Sequence, residues 1–518
     1  MARNNQVLLN RIGIGSVLCT ELNNNTHRDE CEGYSNLKQP KVASSWDAFI
    51  PIIVLVSLLG AAVYLYGDNS SSGPNQIALL FATFTAALIG LKNGFTWKTL
   101  EEAMIKGITI SLGAILILLM VGALIGTWLL SGTVPTLIYY GLQIINPSWF
   151  YAASCLICGI VAMSIGSSWT TAATIGVALL GVANGLGLDP VVTAGAVISG
   201  AYFGDKLSPL SETTNLAPAV AGSDLFDHIQ HMLWTTVPSF VIALIIFIVM
   251  GFNADAASDA GKIDAISSIL QDNFNINILM LVPLVILLGL AIKKMPAFPA
   301  ISIGAVVGAV WALLFQSDLI ASQLDASQGQ LVGQFKLIWA TFFDGFSVQT
   351  GDAKMDDLLS GGGMSSMLTT TWLIMTALMF GAIMEKTGLL EVFVRSILKI
   401  AKSTGSLIAS TIATCFGTNL VAADQYIAIV VPGRMFKEEY KKRGLQSVNL
   451  SRTLEDGGTI TSPLIPWNTC GAYMQSVLLI NPLDYAVYAF FNLINPLLAI
   501  VYGYLGVKVL RLKPTEQE

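Results

Sequence analysis

This chain has little charge. Charged residues make up 12% of its 518 positions against 54% hydrophobic ones, and the mean hydropathy is +0.67. A soluble chain of this length would lack the polar surface to cover itself, so the composition excludes a water-soluble globule and places the protein in a bilayer. Histidine is scarce too, with three residues, and the six cysteines form no two-pair array. That excludes a His/Cys transition-metal centre. Cys155 and Cys158 have Cys-x-x-Cys spacing but apolar neighbours, Cys415 and Cys470 lie in apolar segments, and Cys19 and Cys31 lie in a polar tail. All six are read as free thiols. The first 45 residues hold no apolar run long enough for a signal peptide and read as a disordered polar tail. No cofactor and no nucleic-acid partner is expected.

Apolar stretches near the ~20 residues that span hydrocarbon occur at 48–66, 75–91, 107–130, 229–251, 276–292, 298–316, 367–384 and 484–507. Between them, 150–220 and 405–480 are apolar but broken by Gly, Pro, Ser, Thr and Asn. Within these two stretches a pattern repeats. Gly166 to Asp205 and Gly417 to Asp456 share one spacing, 39 residues, and each Asp precedes a Ser-Pro-Leu triplet, Ser208-Pro209-Leu210 and Ser462-Pro463-Leu464. Charges and helix breakers at membrane depth are costly, so their recurrence in two halves points to a transport site.

Basic residues set the orientation. With a cytoplasmic N-terminus, and with 150–187 and 405–432 as re-entrant hairpins, only Lys262, Lys336 and Lys354 fall outside. Apart from Lys206 and Arg452 in the core, the remaining Lys and Arg fall inside, as the positive-inside rule requires. The chain then reads as an all-α polytopic membrane protein, an inverted-topology repeat with two re-entrant hairpins and two discontinuous transmembrane helices. Its parts are the tail 1–45, a first repeat 46–252, an outer connecting loop 253–275, a second repeat 276–509 and a cytoplasmic C-terminal tail 510–518. The segment 317–366, with Gly361-Gly362-Gly363, reads as an amphipathic linker and a flexible loop, and 386–403 as an amphipathic helix on the cytoplasmic face.

The polar residues of the broken stretches suit a hard cation. Helix breaks free backbone carbonyls, Ser, Thr and Asn oxygens replace a hydration shell, and carboxylates supply charge. The candidate carboxylates are Asp205 and Asp456, expected to flank one site between the two halves, and Asp424, expected to supply the exchangeable charge or coupling proton. Asp424 has no acidic counterpart, since the offset of 251 that relates Asp205 to Asp456 carries it to Ala173. The candidate oxygen ligands are Ser167, Ser168, Ser208, Thr213, Asn215, Thr418, Asn419, Thr459, Ser462 and Asn468, with Ser167 and Ser168 at one hairpin tip and Gly417, Thr418 and Asn419 at the other. A desolvated carboxylate binds H⁺ or Na⁺ in preference to standing bare, which is a simple route to exchange. The competing reading locks Asp205 to Lys206 or another base, and gives Asp456, beside Glu455 and near Arg452, a structural role as well. His228 and His231 lie on one face of a helix start, read as an interfacial helix in preference to a pH sensor.

The segments Ile198 to Pro218 (ISGAYFGDKLSPLSETTNLAP), Thr418 to Gln425 (TNLVAADQ) and Leu454 to Thr469 (LEDGGTITSPLIPWNT) resemble the NhaC-type sodium/proton antiporters of the ion transporter superfamily. The resemblance runs from about Trp46 to the end. It implies a multi-pass exchanger of the prokaryotic plasma (inner) membrane that extrudes Na⁺, with Li⁺ as a further candidate, in return for H⁺. Homodimers are common in that superfamily. Members of the family start near Trp46, so the tail departs from its pattern, as a misplaced start or an extension. The family also includes malate/lactate antiporters, for which Lys206 and Arg452 are the basic residues placed to meet an organic anion. An intramembrane aspartyl protease is a distant alternative, because its Gly-x-Gly-Asp pattern would need glycine where this chain has Tyr202.

Overall fold

The computed structural model describes residues 41, 43–144, 146–253, 260–293, 295–324, 329–398 and 401–512. The expected tail, with Cys19 and Cys31, lies almost wholly outside the described residues. Among those described the protein is all helical, with two isolated backbone bridges and no strand. Eight helices among the described residues are long and apolar enough to cross a membrane, or up to ten if two bent pairs count as one span each.

Helix α1 (Ser45–Tyr66) starts where Ser44 and Asp47 exchange backbone hydrogen bonds in a capping box, both 3.1 Å. Asp47 also pairs with Lys92 at 2.7 Å, fastening α1 to the end of α2 (Pro74–Lys92). The 34 residues of α3 (Trp97–Leu130) reach about 51 Å, well beyond hydrocarbon thickness. The α4 helix (Thr133–Ile144) leads on to the first broken stretch.

There α5 (Phe150–Ile165) ends at Gly166, whose φ of 76° is left-handed, and the chain restarts with Ser167 capping Ser168–Thr171. A π-helical turn, Ala172–Gly176, runs into α6 (Val177–Gly185). Helix α7 (Pro190–Leu207) packs tightly on α5, because a Cβ at Gly200 or Gly204 would strike the carbonyl oxygens of Cys155 and Gly159. After Ser208-Pro209-Leu210, Ser211 caps α8 (Glu212–Ala221), and α9 (Leu225–Asn253) follows.

Beyond that lie α10 (Val282–Ile292), α11 (Ala297–Phe315), α12 (Gln330–Asp344), α13 (Leu368–Lys386) and the short α14 (Leu389–Leu398). The second broken stretch contains α15 (Thr404–Ala422), α16 (Gln425–Lys442) and α17 (Ser447–Leu454). A π turn at Glu455–Thr459 and a 3₁₀ turn at Ser462–Leu464 then precede α18 (Thr469–Leu478) and α19 (Phe490–Leu505).

Several local expectations change. The tripeptide Gly361-Gly362-Gly363 is pinned, not loose: Gly361 bridges Phe346, and the Gly363 amide donates to the Gly122 carbonyl of α3 at 2.6 Å. All three glycines have positive φ, which lets the backbone lie flat on the helix. Residues 260–273, expected within a loop, are helical. The apolar stretch 484–507 is bent by 60° between Pro482–Tyr488 and Phe490–Leu505. The amphipathic reading of 386–403 fits α14, which buries Leu389, Leu390 and Val394 and exposes an Arg395–Glu391 pair.

Candidate functional site

The breaks converge on a cavity of about 660 Å³. It is lined by Ser167, Ser168, Trp169 and Thr170 from the first break, Asp205, Ser211, Glu212 and Thr213 around the α7–α8 break, and Asp424, Gln425, Tyr426 and Thr469 from the second broken stretch. The rest of the lining, supplied mainly by α3, α10 and α11, is largely apolar, with Ser111 of α3 among it. No Lys, Arg or His is among the described residues that line it.

Asp205 stands in the last turn of α7, 8% exposed, and its Oδ2 accepts a hydrogen bond from the Ser168 hydroxyl at 2.7 Å. The Thr214 hydroxyl donates to the carbonyls of Lys206 at 3.1 Å and Asp205 at 3.4 Å at the end of α7, the Asp205 carbonyl also accepting from the Ser208 amide at 3.1 Å. Asn215 spans the same break by donating to the Pro209 and Ser211 carbonyls, and the Thr213 and Ser211 hydroxyls lie 3.2 Å apart.

Asp424 is the N-cap of α16. Its Oδ1 accepts from the Tyr426 and Ile427 amides at 2.9 and 3.0 Å, and its Oδ2 from the Thr469 hydroxyl at 3.4 Å. The preceding residue, Ala423, takes a left-handed φ of 55°, unusual for a residue with a Cβ, and is held there as its carbonyl accepts from the Thr469 amide at 2.9 Å. The α15–α16 break therefore falls at Ala423-Asp424, with Asp424 seven residues past Gly417. The expected tip residues Gly417, Thr418 and Asn419 lie inside α15 instead. Gly417 is needed for packing, since a Cβ there would meet the Phe393 ring at 2.8 Å.

Side-chain contacts also join the two broken stretches to each other. The Tyr426 hydroxyl donates to Glu212 at 2.5 Å, and the Trp169 ring stacks on Tyr473 with centroids 4.0 Å apart.

Asp456 sits elsewhere. It is fully buried and forms an ion pair with Lys206, whose ammonium also donates to Asn495 at 2.6 Å. The carboxylate further accepts from Thr235 and Asn495, both at 3.2 Å, and Arg452 Nε lies 3.9 Å from it. Arg452 also donates to the Lys508 carbonyl at 3.2 Å. None of Asp456, Lys206 and Arg452 lines the cavity. The expectation that Asp205 and Asp456 flank one space is thus corrected: Asp205 shares the cavity with Asp424. His228 and His231 are buried rather than interfacial, with His228 Nδ1 2.8 Å from Ser451 Oγ and His231 Nε2 2.9 Å from the Lys508 carbonyl.

The other expected oxygens divide. Ser208, at the C-terminal end of α7, accepts from the Leu210 amide at 3.3 Å. Asn419 donates to the Gly458 carbonyl at 2.6 Å and accepts from Asn468 at 3.0 Å, bracing the second break, while Asn468 caps α18. Ser462 donates to the Thr459 carbonyl at 2.7 Å, and the hydroxyls of Thr418 and Thr459 are buried without a partner. These residues line no part of the cavity. Ser211, Tyr426 and Thr469 do, although sequence reasoning did not select them. Only the position of Ser211 before Glu212, and of Thr469 beside Asn468, offered a cue.

Fold and site together define a polytopic membrane protein with an acidic central cavity. The profile of the Na⁺/H⁺ antiporter family matches residues 34–201 and 200–507, and the chain belongs to that family. It is 41% identical over 435 residues to the Na⁺/H⁺ antiporter NhaC of Alkalihalophilus pseudofirmus, covering 84% of this chain and 91% of that one. It is 39% identical over 434 residues to the malate-2H⁺/Na⁺-lactate antiporter of Bacillus subtilis, covering 84% and 90%. Identity to the arginine/ornithine antiporter ArcD of Halobacterium salinarum is 35% over 494 residues, covering 94% and 97%.

Proposed function

We propose that this protein is a secondary transporter, not an enzyme, that exchanges cytoplasmic Na⁺ for external H⁺ across the plasma membrane by alternating access. The observation that carries this reading is the charge of the cavity: Asp205, Glu212 and Asp424 line it, and among the described residues no basic one does. An acidic cavity with apolar walls concentrates cations, and its carboxylates hold either a metal cation or a proton. Similarity to NhaC of Alkalihalophilus pseudofirmus supports the same pair of cargoes.

In this reading Asp205 and Asp424 carry the exchangeable charge. Ser167, Ser168, Thr213 and Thr469 offer oxygens beside them, while Asn215, Asn419 and Asn468 hold the breaks in shape. Asp456 acts as the counter-charge of Lys206 and lies outside the cation set. The four breaks support an inverted repeat of 46–252 and 276–509, with both termini cytoplasmic and 150–187 and 405–432 entering and leaving from one side. Li⁺ fits the same oxygens, and a homodimer is compatible with the fold.

Organic-acid exchange, the activity named for the Bacillus subtilis relative, is the second reading. A dicarboxylate would need a cationic partner in the cavity, and the two core bases, Lys206 and Arg452, both face Asp456. The deciding experiment is Na⁺ addition to proteoliposomes holding a pH dye, with chloride, malate or lactate as the anion. Proton movement independent of the anion and lost in Asp205→Asn supports Na⁺/H⁺ exchange. Movement only with malate or lactate overturns it.

A further inference from the structure

The Asp456 carboxylate uses its two oxygens unequally. Oδ1 takes the Lys206 ammonium together with Thr235 and Asn495, whereas among the described residues Oδ2 accepts no hydrogen bond. Arg452 beside it is equally open: its buried Nε, 3.9 Å from Oδ2, and its Nη2 donate to none of those residues. An arginine fork and a carboxylate ordinarily close into two parallel hydrogen bonds, and buried donors and acceptors left open are costly.

Arg452 is held from its other side. Its Nη1 donates to the Lys508 carbonyl at 3.2 Å, and His231 Nε2 lies 2.9 Å from the same oxygen. An unusual turn aims that carbonyl. Lys508 has a φ of 52°, left-handed for a residue with a Cβ, and its ammonium sits 3.7 Å from the centre of the Trp234 ring of α9. Beyond it the chain is pinned beside α17. The Leu510 amide donates to Asn449 at 3.0 Å, Asn449 donates back to the Leu510 carbonyl at 2.7 Å, and the Leu512 amide donates to the Gly444 carbonyl at 2.8 Å.

We infer that residues 507–512 form a strap that holds Arg452 off Asp456 and so regulates exchange. With the strap docked, Lys206 and not Arg452 is hydrogen-bonded to Asp456. With it undocked, Arg452 closes on Oδ2 and the two bases share the carboxylate. Lys206 is then held more weakly, and so is Asp205, the residue before it in α7. Arg452 is a positioning residue in this scheme, since it meets no cargo. The inference rests on the Na⁺/H⁺ exchange reading and adds a control to it.

The test compares two substitutions at one position of the full-length protein. Proline is locked near a φ of about −65° and cannot make the Lys508 turn, whereas glycine makes it freely. Amide hydrogen exchange reports on the strap and on the last turn of α7, and the apparent KM for Na⁺ reports on transport. Lys508→Pro should speed amide exchange at Leu510, at Leu512 and at the end of α7, and raise the KM about two- to tenfold, the effect of one net hydrogen bond. Lys508→Gly should stay near the unmodified protein. In an Arg452→Met background, Lys508→Pro should still free the strap but change neither α7 nor the KM.

A freed strap that leaves either α7 or the KM unchanged overturns the inference. So does a strap that stays protected in Lys508→Pro, or an effect that survives Arg452→Met. If Arg452→Met fails to fold, the proline–glycine comparison decides alone. If the unmodified protein moves no protons on Na⁺ addition, the exchange reading falls, and amide exchange at the end of α7 decides whether the strap acts through Arg452.

Discussion

The Ser168 hydroxyl and the Asp205 carboxylate are 2.7 Å apart, joining the restart of the first broken stretch to the last turn of α7 across 37 residues of sequence. A hydrogen bond to a carboxylate is worth about 1.5–3 kcal/mol. Ser168→Ala should therefore weaken apparent Na⁺ affinity about tenfold or more. Asp205→Asn should abolish exchange at unchanged expression. Retained Na⁺-dependent proton movement in Asp205→Asn would remove this carboxylate from the mechanism.

Asp424 has a structural role as the cap of α16 and a proposed one in exchange, and two substitutions separate them. Asparagine caps a helix about as well as aspartate, so Asp424→Asn should keep the melting temperature and lose exchange. Asp424→Ala should lose both, with about 1–2 kcal/mol of stability going with the cap. Equal melting temperatures for the two variants would argue against the cap; normal exchange in Asp424→Asn would argue against the charge.

Breaking the Lys206–Asp456 pair leaves one fully buried charge without its partner. Asp456→Asn should cost about 3–5 kcal/mol and be seen as a lower melting temperature and a loss of monodisperse protein. The double change Lys206→Met with Asp456→Leu should recover much of that loss, because neither charge remains. A single variant as stable as the unmodified protein would contradict the assignment of Asp456 as a structural counter-charge.

Where H⁺ and Na⁺ compete for the same carboxylates, lowering the pH by one unit should raise the apparent KM for Na⁺ toward about tenfold on the acid side. The maximal rate measured at saturating Na⁺ should move less. An apparent KM that ignores pH would mean that the two ions occupy separate sites.

The proposed topology places Lys441, exposed near the end of α16, on the cytoplasmic side. Lys441→Cys should react with an impermeant thiol reagent in inside-out vesicles and stay unlabelled in intact cells. Labelling from outside only would rule out 405–432 as a hairpin that returns to the cytoplasm.

Much of the helical plan was legible because membrane spans leave long apolar runs, and the broken stretches were legible because Gly, Pro and Asn interrupt them. Asp205 and Asp424 could be chosen as carboxylates lying at such breaks. Asp456 looked equivalent to Asp205 through a shared spacing, yet spacing does not encode which side a neighbour faces. Consecutive helix residues point about 100° apart, so Asp205 reaches the cavity while Lys206 reaches Asp456. The second break was misplaced for a related reason. Gly417 carries the expected flexibility but uses its small size against Phe393, whereas the left-handed turn falls on Ala423, stabilised by the distant Thr469 amide. The apolar part of the cavity lining carried no signal at all, since its residues look like any others in a lipid-facing or buried helix.

One turn of α7 thus holds a cavity carboxylate at one position and the base of a fully buried salt bridge at the next. Asp205 cannot slide along or rotate about the α7 axis without dragging Lys206 against Asp456. The mounting is stiff: in the proposed exchange a cargo ion would meet a carboxylate whose position is fixed from behind, so the compliance needed for passage would have to come from other parts of the cavity.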